Sequence, residues 1–245
     1  MRTDFHFAFT PVRRVVSGVF FLLVSLLCLQ GAPSSVFVPA RVSALVEALP
    51  APLADDSLTG QADLETLLQV QADRTPAQEA RARRAEKHTV FVMGASVFGA
   101  WFTAENLPLT AHFFETAGVQ FHPALVSAKK RWQRPRPFVR DTRVHPCLAA
   151  PAGTSYPSGH SATAAIWGEL LSAVFPEKRT EFMAQVRETM WSRVLAGVHF
   201  PTDTQAGRQL GESIGREMLA LTATQLALEA VHQEIEDQRR KFLSH

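Results

Sequence analysis

Cysteine is nearly absent: the 245-residue chain holds 2. That excludes a disulfide scaffold and a zinc ribbon. An excess of one charge is also missing. Lys and Arg total 25 against 23 Asp and Glu, a formal net charge of +2, so no nucleic-acid binding is expected. No internal repeat or low-complexity linker interrupts the chain. Beyond residue 50 no apolar–polar alternation of useful length marks a half-buried strand. After residue 32 no run reaches the ~20 apolar residues of a spanning helix, so no transmembrane helix is expected in the mature chain. Tyr occurs once against 17 Phe, a bias with no evident physical reason. What is present is an ordinary globular balance, 46% hydrophobic and 20% charged, which argues against disorder.

The N-terminus reads as a leader. Arg2, Arg13 and Arg14 face only Asp4, and the apolar run Val15–Leu29 follows. A short apolar run behind a basic segment is the pattern of a secretory signal peptide, whereas a buried core helix would need no basic flank. Residues 1–32 are therefore expected to be removed, with cleavage after Ala32, Ser34 or Ala40, and the protein to be periplasmic or secreted. Acylation at Cys28 is set aside because Leu27 is too large for that processing site. Removal of the leader leaves Cys147 alone, unable to form an internal disulfide and best suited to a small core position. Residues 33–60 read as an N-terminal extension, 61–235 as one helical domain and 236–245 as a solvated tail.

The fold class expected is all-α, a single-domain helical bundle with the active site among its core helices. Leu64, Leu67, Leu68 and Val70 predict a helix near 61–72. Thr75-Pro76-Ala77-Gln78 is a capping box with Pro at the first helical position. The helix it opens is expected to run on toward the apolar stretch Thr89–Phe102. Pro123 is expected to start another helix, which must stop before Pro135. His160–Phe175 forms the next, ended by Pro176. Glu177–Val198 follows, with Phe182, Val186, Met190, Val194 and Leu195 on one stripe. Pro201 opens the last helix, whose tail EIEDQRRKF looks solvated.

Three segments carry chemistry. The first, Lys129 to Phe138, packs five cations into eight residues. A charge run is usually a solvated face. Here Pro135 and Pro137 hold Arg134 and Arg136 on a rigid, extended path, which suits bidentate contact with phosphate. The second is Ser155-Tyr156-Pro157-Ser158-Gly159-His160, directly ahead of a helix. A helix N-terminus attracts anions, and Gly159 lets an oxyanion approach the backbone. A plain N-cap Ser with a surface His would give the same letters. The third runs from Ser192 and Arg193 to His199 and Asp203. Arg193 and His199 are about 240° apart on a continuous helix, so they share a face only if the helix breaks. Gly197 and Pro201 supply the break. Asp203 then falls in the first turn of the next helix, within reach of His199. A carboxylate on one imidazole nitrogen leaves the other free as nucleophile or base, although a buried His with a structural Asp is common.

In order and spacing these segments resemble the phosphatidic acid phosphatase type 2 / vanadium haloperoxidase superfamily. Its pattern is K-x6-R-P, then P-S-G-H, then S-R-x5-H-x3-D. The chain supplies Lys129 with Arg136-Pro137, Pro157-Ser158-Gly159-His160, and Ser192-Arg193 with His199 and Asp203, with no position substituted. Within that superfamily the stretch around Trp132 is most like the bacterial class A non-specific acid phosphatases. The resemblance implies that His199 attacks phosphorus to give a phosphohistidine, Asp203 orients it, and His160 protonates the leaving alcohol. It implies that Lys129, Arg136, Arg193, Ser158 and Gly159 hold the phosphoryl oxygens. Such a site needs no metal and no cofactor. His145-Pro146-Cys147 is too small a set for zinc, and vanadate is expected as an inhibitor.

The function expected is a secreted, metal-independent acid phosphatase acting on small phosphomonoesters. A lipid or diphosphate phosphatase of the same superfamily, a vanadate-dependent haloperoxidase and a phosphate-binding protein are the alternatives. A homo-oligomer is left open. Contacts to the leaving group are expected from the 89–122 region and the Asp141–Thr154 loop.

Overall fold

Hydroxyl caps and prolines mark where most of the helices begin. The computed structural model describes residues 41–244, and the expected leader lies outside them. A short α1 (Val42–Glu47) precedes α2 (Leu58–Asp73), whose first turn is capped by Ser57 Oγ accepting from the Gly60 N–H. The capping box of Thr75 and Gln78 opens α3 (Pro76–Glu86) with Pro76 at its start. Thr89 caps α4 (Val90–Phe98). Then come α5 (Pro108–Trp132), the single turn α6 (Pro137–Arg140), α7 (Gly159–Val174) and a 3-10 turn, Pro176–Lys178. The chain ends with α8 (Arg179–Leu195), α9 (Pro201–Leu219) and α10 (Thr222–Leu243). Among the described residues there is no strand, so the fold is all-α.

Three helix boundaries differ from the sequence reading. The helix opened at Thr75 does not continue into the apolar stretch. Lys87 leaves helical geometry at ψ 51°, and Thr89 takes an extended conformation to cap α4. A side-chain cap competes with continuation, because the hydroxyl supplies the bond that a preceding carbonyl would otherwise make. Pro123 does not start a helix but lies inside α5. It removes one hydrogen bond, to the carbonyl of Val119, and Val119 is 71% exposed, so water can serve that oxygen. Pro108 marks the true start, and the helix stops at Gln133, which turns left-handed at φ 47° two residues before Pro135. The segment after Pro201 is two helices, separated at Ala220 and Leu221, with no proline or glycine to announce the break. Part of the tail read as solvated is docked. Ile235 is fully buried, and Glu234 accepts from Leu109 N, Thr110 N and Thr110 Oγ1 at 2.7–2.8 Å, capping α5.

The core is built around α7, whose Ala162, Ala164, Ala165, Ile166, Leu170 and Leu171 are all fully buried. The stripe expected on α8 is buried throughout. Helix α9 approaches α7 at backbone distance. A Cβ at Gly207 would stand 2.3 Å from the Ser158 carbonyl oxygen, and one at Gly211 would stand 2.1 Å from that of Ala162. Only glycine permits that approach. It joins the start of α7 to the start of α9, where the Ser158 N–H donates to the Asp203 carbonyl at 2.9 Å. The C-terminal end of α5 and the α8–α9 turn close on the same point.

Candidate active site

The α8–α9 turn forms as its sequence dictates. Helix α8 stops at Leu195, Gly197 takes φ 74°, and Pro201 restarts the chain as α9. His199 sits in that turn, 2% exposed, and its Nδ1 lies 3.6 Å from Asp203 Oδ2. The separation is longer than a hydrogen bond, and it would become an ion pair only with a protonated ring. Asp203 is fully buried. Its Oδ2 accepts from the Phe200 N–H at 2.9 Å, and its Oδ1 accepts from Arg134 Nη1 at 2.7 Å. Burial pushes its carboxyl upward, but His199, Arg134 and the Phe200 N–H together outweigh burial and hold it below the usual range.

The other face of His199 meets a cation. Arg136 Nη1 lies 3.2 Å from His199 Nε2 and donates to the Val198 carbonyl at 2.9 Å. A guanidinium can only donate. Nε2 therefore presents its lone pair, and the ring proton resides on Nδ1, toward Asp203. Burial lowers the His199 pKa to about 3, with Lys129 and Arg136 acting in the same direction against the pull of Asp203. The ring is neutral at physiological pH.

Arg136 is fixed as expected for a residue between two prolines. Its Nε and Nη2 donate to the Gly153 and Ala152 carbonyls, both at 3.2 Å. Lys129, in the last turn of α5, donates from Nζ to the Thr154 carbonyl at 2.8 Å. Burial, aided by Arg136, lowers it to about 8. Arg193 is 2% exposed, and among the described residues its Nε and Nη1 find no hydrogen-bond partner. Burial depresses it to about 10. A buried guanidinium with idle donors fits an oxyanion that those donors would hold.

Ser158 and Gly159 begin α7. Ser158 Oγ accepts from Ser161 Oγ at 3.0 Å and from Ser161 N at 3.4 Å, which leaves its own proton to donate. A Cβ on Gly159 would meet nothing closer than Leu125 Cδ1 at 4.0 Å, so the space beside it is open. His160 follows, with Nε2 3.4 Å from the Glu86 carbonyl. Burial lowers its pKa to about 4, and Arg193, Arg136 and Lys129 push the same way. The predicted site residues Lys129, Arg136, Ser158, Gly159, His160, Arg193, His199 and Asp203 thus meet where α5, α7 and the α8–α9 turn converge.

One expectation fails. Arg134 does not face a phosphate position. Its guanidinium bridges Asp203 and Asp63, and its Cζ lies over the Phe200 ring, 4.0 Å from the centroid. Proline neighbours fix its backbone but carry no information on where the fork points. Two residues near the site escaped the sequence reading. Asp63 sits one turn ahead of the buried Leu67 on α2, so its signal was an acid on an apolar stripe. His88, in the break before α4, has its ring centroid 4.6 Å from that of Trp167 and 6.3 Å from that of His160. No pattern singled it out. Cys147 is buried beside Leu148, Leu195, Ala196 and Val198, as a small core residue. Among the described residues no group of three or more His, Cys, Asp or Glu could share a metal ion, and no helix is long and apolar enough to cross a membrane.

The chain is similar to several known proteins. Two curated proteins, each a non-specific acid phosphatase, from Salmonella typhi and Salmonella typhimurium, are 32% identical over 142 residues. The match covers 56% of this chain and 53% of each relative, so the chain spans about half the length of the curated relatives it matches. The crystal structure of a bacterial vanadium-dependent iodoperoxidase superposes with a TM-score of 0.54 at 18% identity. It covers 74% of this chain and 54% of its own, a likeness of fold alone. The PAP2 superfamily pattern matches residues 110–226, the span that holds all eight predicted site residues. Over that span the chain is similar to the PAP2 superfamily.

Proposed function

We propose that the chain is an acid phosphatase that hydrolyses small phosphomonoesters through a phosphohistidine, using side-chain cations instead of a metal, and that it acts in the periplasm or outside the cell. The observation that carries this reading is the state of the His199 ring. Arg136 Nη1 stands 3.2 Å from Nε2 and Asp203 Oδ2 3.6 Å from Nδ1, and because a guanidinium only donates, this assigns the lone pair to Nε2 and the proton to Nδ1. A nucleophile directed at the group that would gather the electrophile's oxygens is more than a binding protein needs.

Substrate enters as a phosphate ester whose oxygens replace His199 in front of Arg136 and take up the idle Nε and Nη1 of Arg193. Lys129, the Ser158 hydroxyl and the Gly159 N–H complete the cradle. Phosphoryl transfer asks mainly for positioning and charge neutralisation, which three cations and a helix N-terminus provide. The Nε2 lone pair forms the bond to phosphorus while the bond to the ester oxygen breaks. His160 delivers a proton to the departing alcohol. Because the Glu86 carbonyl only accepts, Nε2 of His160 keeps its hydrogen, and Nδ1 is the nitrogen that gives up the proton. The phosphorylated ring is cationic, and Asp203 stabilises it through Nδ1–H. Water then attacks phosphorus, the N–P bond breaks, and His160 takes the proton from water. The names of the Salmonella relatives and the PAP2 match support a phosphatase.

The purified protein should be assayed on a generic aryl phosphate with EDTA, with and without orthovanadate. Turnover should survive the chelator and fall with vanadate, which adopts the trigonal-bipyramidal shape of the transition state. Strict dependence on added Mg²⁺ or Zn²⁺ would refute the reading. For export, the native protein should have an N-terminus between about residues 33 and 41, by the small-residue cleavage rule.

A further inference from the structure

Asp63 lies on α2, ahead of the matched segment 110–226, and its side chain is 3% exposed. Both oxygens are engaged. Oδ1 accepts from the Thr202 N–H at 3.1 Å. Oδ2 accepts from Arg134 Nη2 at 3.0 Å and from Thr202 Oγ1 at 2.5 Å. Arg134 in turn donates from Nη1 to Asp203 Oδ1 at 2.7 Å and to Thr202 Oγ1 at 3.0 Å. A continuous buried series therefore runs His199, Asp203, Arg134, Asp63.

We infer that Asp63 is a positioning residue for phosphoryl transfer, which sets through Arg134 how much negative charge Asp203 presents to His199. The inference rests on His199 being the nucleophile. Asp203 and Arg134 alone would be a neutral pair, and in a buried site the guanidinium would take up most of the carboxylate's field. Asp63 returns one negative charge on the far side of Arg134. The trio carries −1, and Asp203 remains an effective partner for a cationic imidazole. Asp63 also fixes the guanidinium plane, and so points Asp203 Oδ1 away from His199 and leaves Oδ2 facing Nδ1.

The electrostatics give a signature that loss of structure does not. In the intermediate, Nε2 is bonded to phosphorus and the ring is positive. If Asp203 is neutralised by an unbalanced Arg134, that state rises in energy. The N–P bond then forms more slowly. The same change makes imidazole a better leaving group, so the N–P bond breaks faster when water attacks. A loosened site would slow both steps.

The test is rapid-quench kinetics on the full chain with labelled aryl phosphate, comparing wild type with Asp63→Asn. Asparagine keeps the shape and the acceptor for Thr202 N and removes the charge. Phosphorylation should slow by about tenfold, a step less than the loss of a direct transition-state donor. Dephosphorylation should hold or quicken, and inhibition by inorganic phosphate should be unchanged or tighter. If both steps slow together and phosphate binds more weakly, Asp63 is only structural and the inference is overturned. Unchanged kinetics overturn it equally. Should Asp63→Asn not fold, Thr202→Val removes the hydroxyl that Arg134 Nη1 shares with Asp203, so the guanidinium bears more fully on Asp203. That variant should give the same opposed pair of shifts, smaller in size, and parallel slowing there is also contradictory. Failure of wild type to trap a phosphohistidine would instead remove the nucleophile reading itself, and the wild-type control alone reveals that.

Discussion

Arg136 Nη1 stands 3.2 Å from His199 Nε2, a donor resting on the lone pair of the nitrogen proposed to attack. The contact keeps the ring in one tautomer while the site is free of substrate. It also marks where a phosphoryl oxygen would sit, since the guanidinium can exchange imidazole for oxygen without moving its backbone.

Arg136→Lys keeps the charge but loses the fork that reaches the Gly153, Ala152 and Val198 carbonyls. A loss of roughly 10²-fold or more in kcat/KM is expected, comparable to removing one preorganised oxyanion donor. Arg131→Ala is the control. Arg131 is exposed and lies 5.3 Å from the Trp132 ring, so its effect should be within about threefold, as for an exposed charge. Steady-state kinetics on both variants check this. Equal losses would mean that the basic run acts only as a diffuse field.

The pH profile follows from proton counting. His199 titrates near 3 and is free to attack above that. His160 titrates near 4 in the free site, and the second ionisation of a phosphate ester lies at about 6. Reaction needs one proton in total, carried by His160 or brought by the substrate monoanion. The two arrangements are kinetically equivalent. That one-proton state dominates between the two values, so kcat/KM should be highest from about pH 4 to 6. Above pH 6 the proton is lost and the rate should fall about tenfold per unit. Above the Lys129 value of about 8 the fall should steepen as a cation is lost. A maximum in kcat/KM at or above pH 8 would contradict these assignments.

Two glycines should respond to alanine with opposite signs. In Gly211→Ala the new methyl would meet the Ala162 carbonyl at 2.1 Å, and backbone cannot swing away as a side chain can. A cost of about 1–3 kcal/mol is expected from overpacking, which outweighs the gain in helix propensity. In Gly118→Ala, on α5, nothing lies within 4 Å of the new atom, so propensity alone should act and stabilise by up to about 1 kcal/mol. Thermal denaturation of the two variants compares them directly. Stabilisation by Gly211→Ala would refute the close α7–α9 contact.

His160→Ala should separate substrates by leaving group. An acidic phenol departs with little protonation, so phosphorylation by an aryl phosphate should be largely spared. An alkyl phosphate needs the proton and should slow by about 10²-fold or more, the usual scale of general acid catalysis. Single-turnover rates on both esters measure the difference. Equal slowing in that step would remove the general-acid role.

Much of the site was legible because its residues are set by local punctuation. Pro135 and Pro137, the serine cap ahead of α7, and Gly197 with Pro201 all constrain backbone within a few positions. Backbone so constrained sets how Arg136, His160 and His199 leave the chain, and the packing of α7 against α9 brings the segments together. Side-chain direction is a different matter. Arg134 and Arg136 stand in the same proline frame, yet Arg136 faces His199 and Arg134 faces two buried carboxylates. That choice is made by Asp63 and Asp203, one of them on a helix far away in sequence. The helix breaks at Lys87 and at Ala220 were hidden for a related reason, since no residue there is a strong breaker and packing decides. Pro123 misled because the rule for proline describes a cost, and an exposed position on a long helix can bear it.

The central claim is that His199 becomes covalently phosphorylated, and acid-stable and acid-labile phosphoprotein can be told apart after rapid quench with labelled substrate. Wild type quenched into base should yield an acid-labile phosphohistidine at residue 199, and His199→Ala should yield no phosphoprotein and no turnover. Phosphoenzyme persisting in His199→Ala, or turnover by wild type with no phosphohistidine trapped at any quench time, would contradict it.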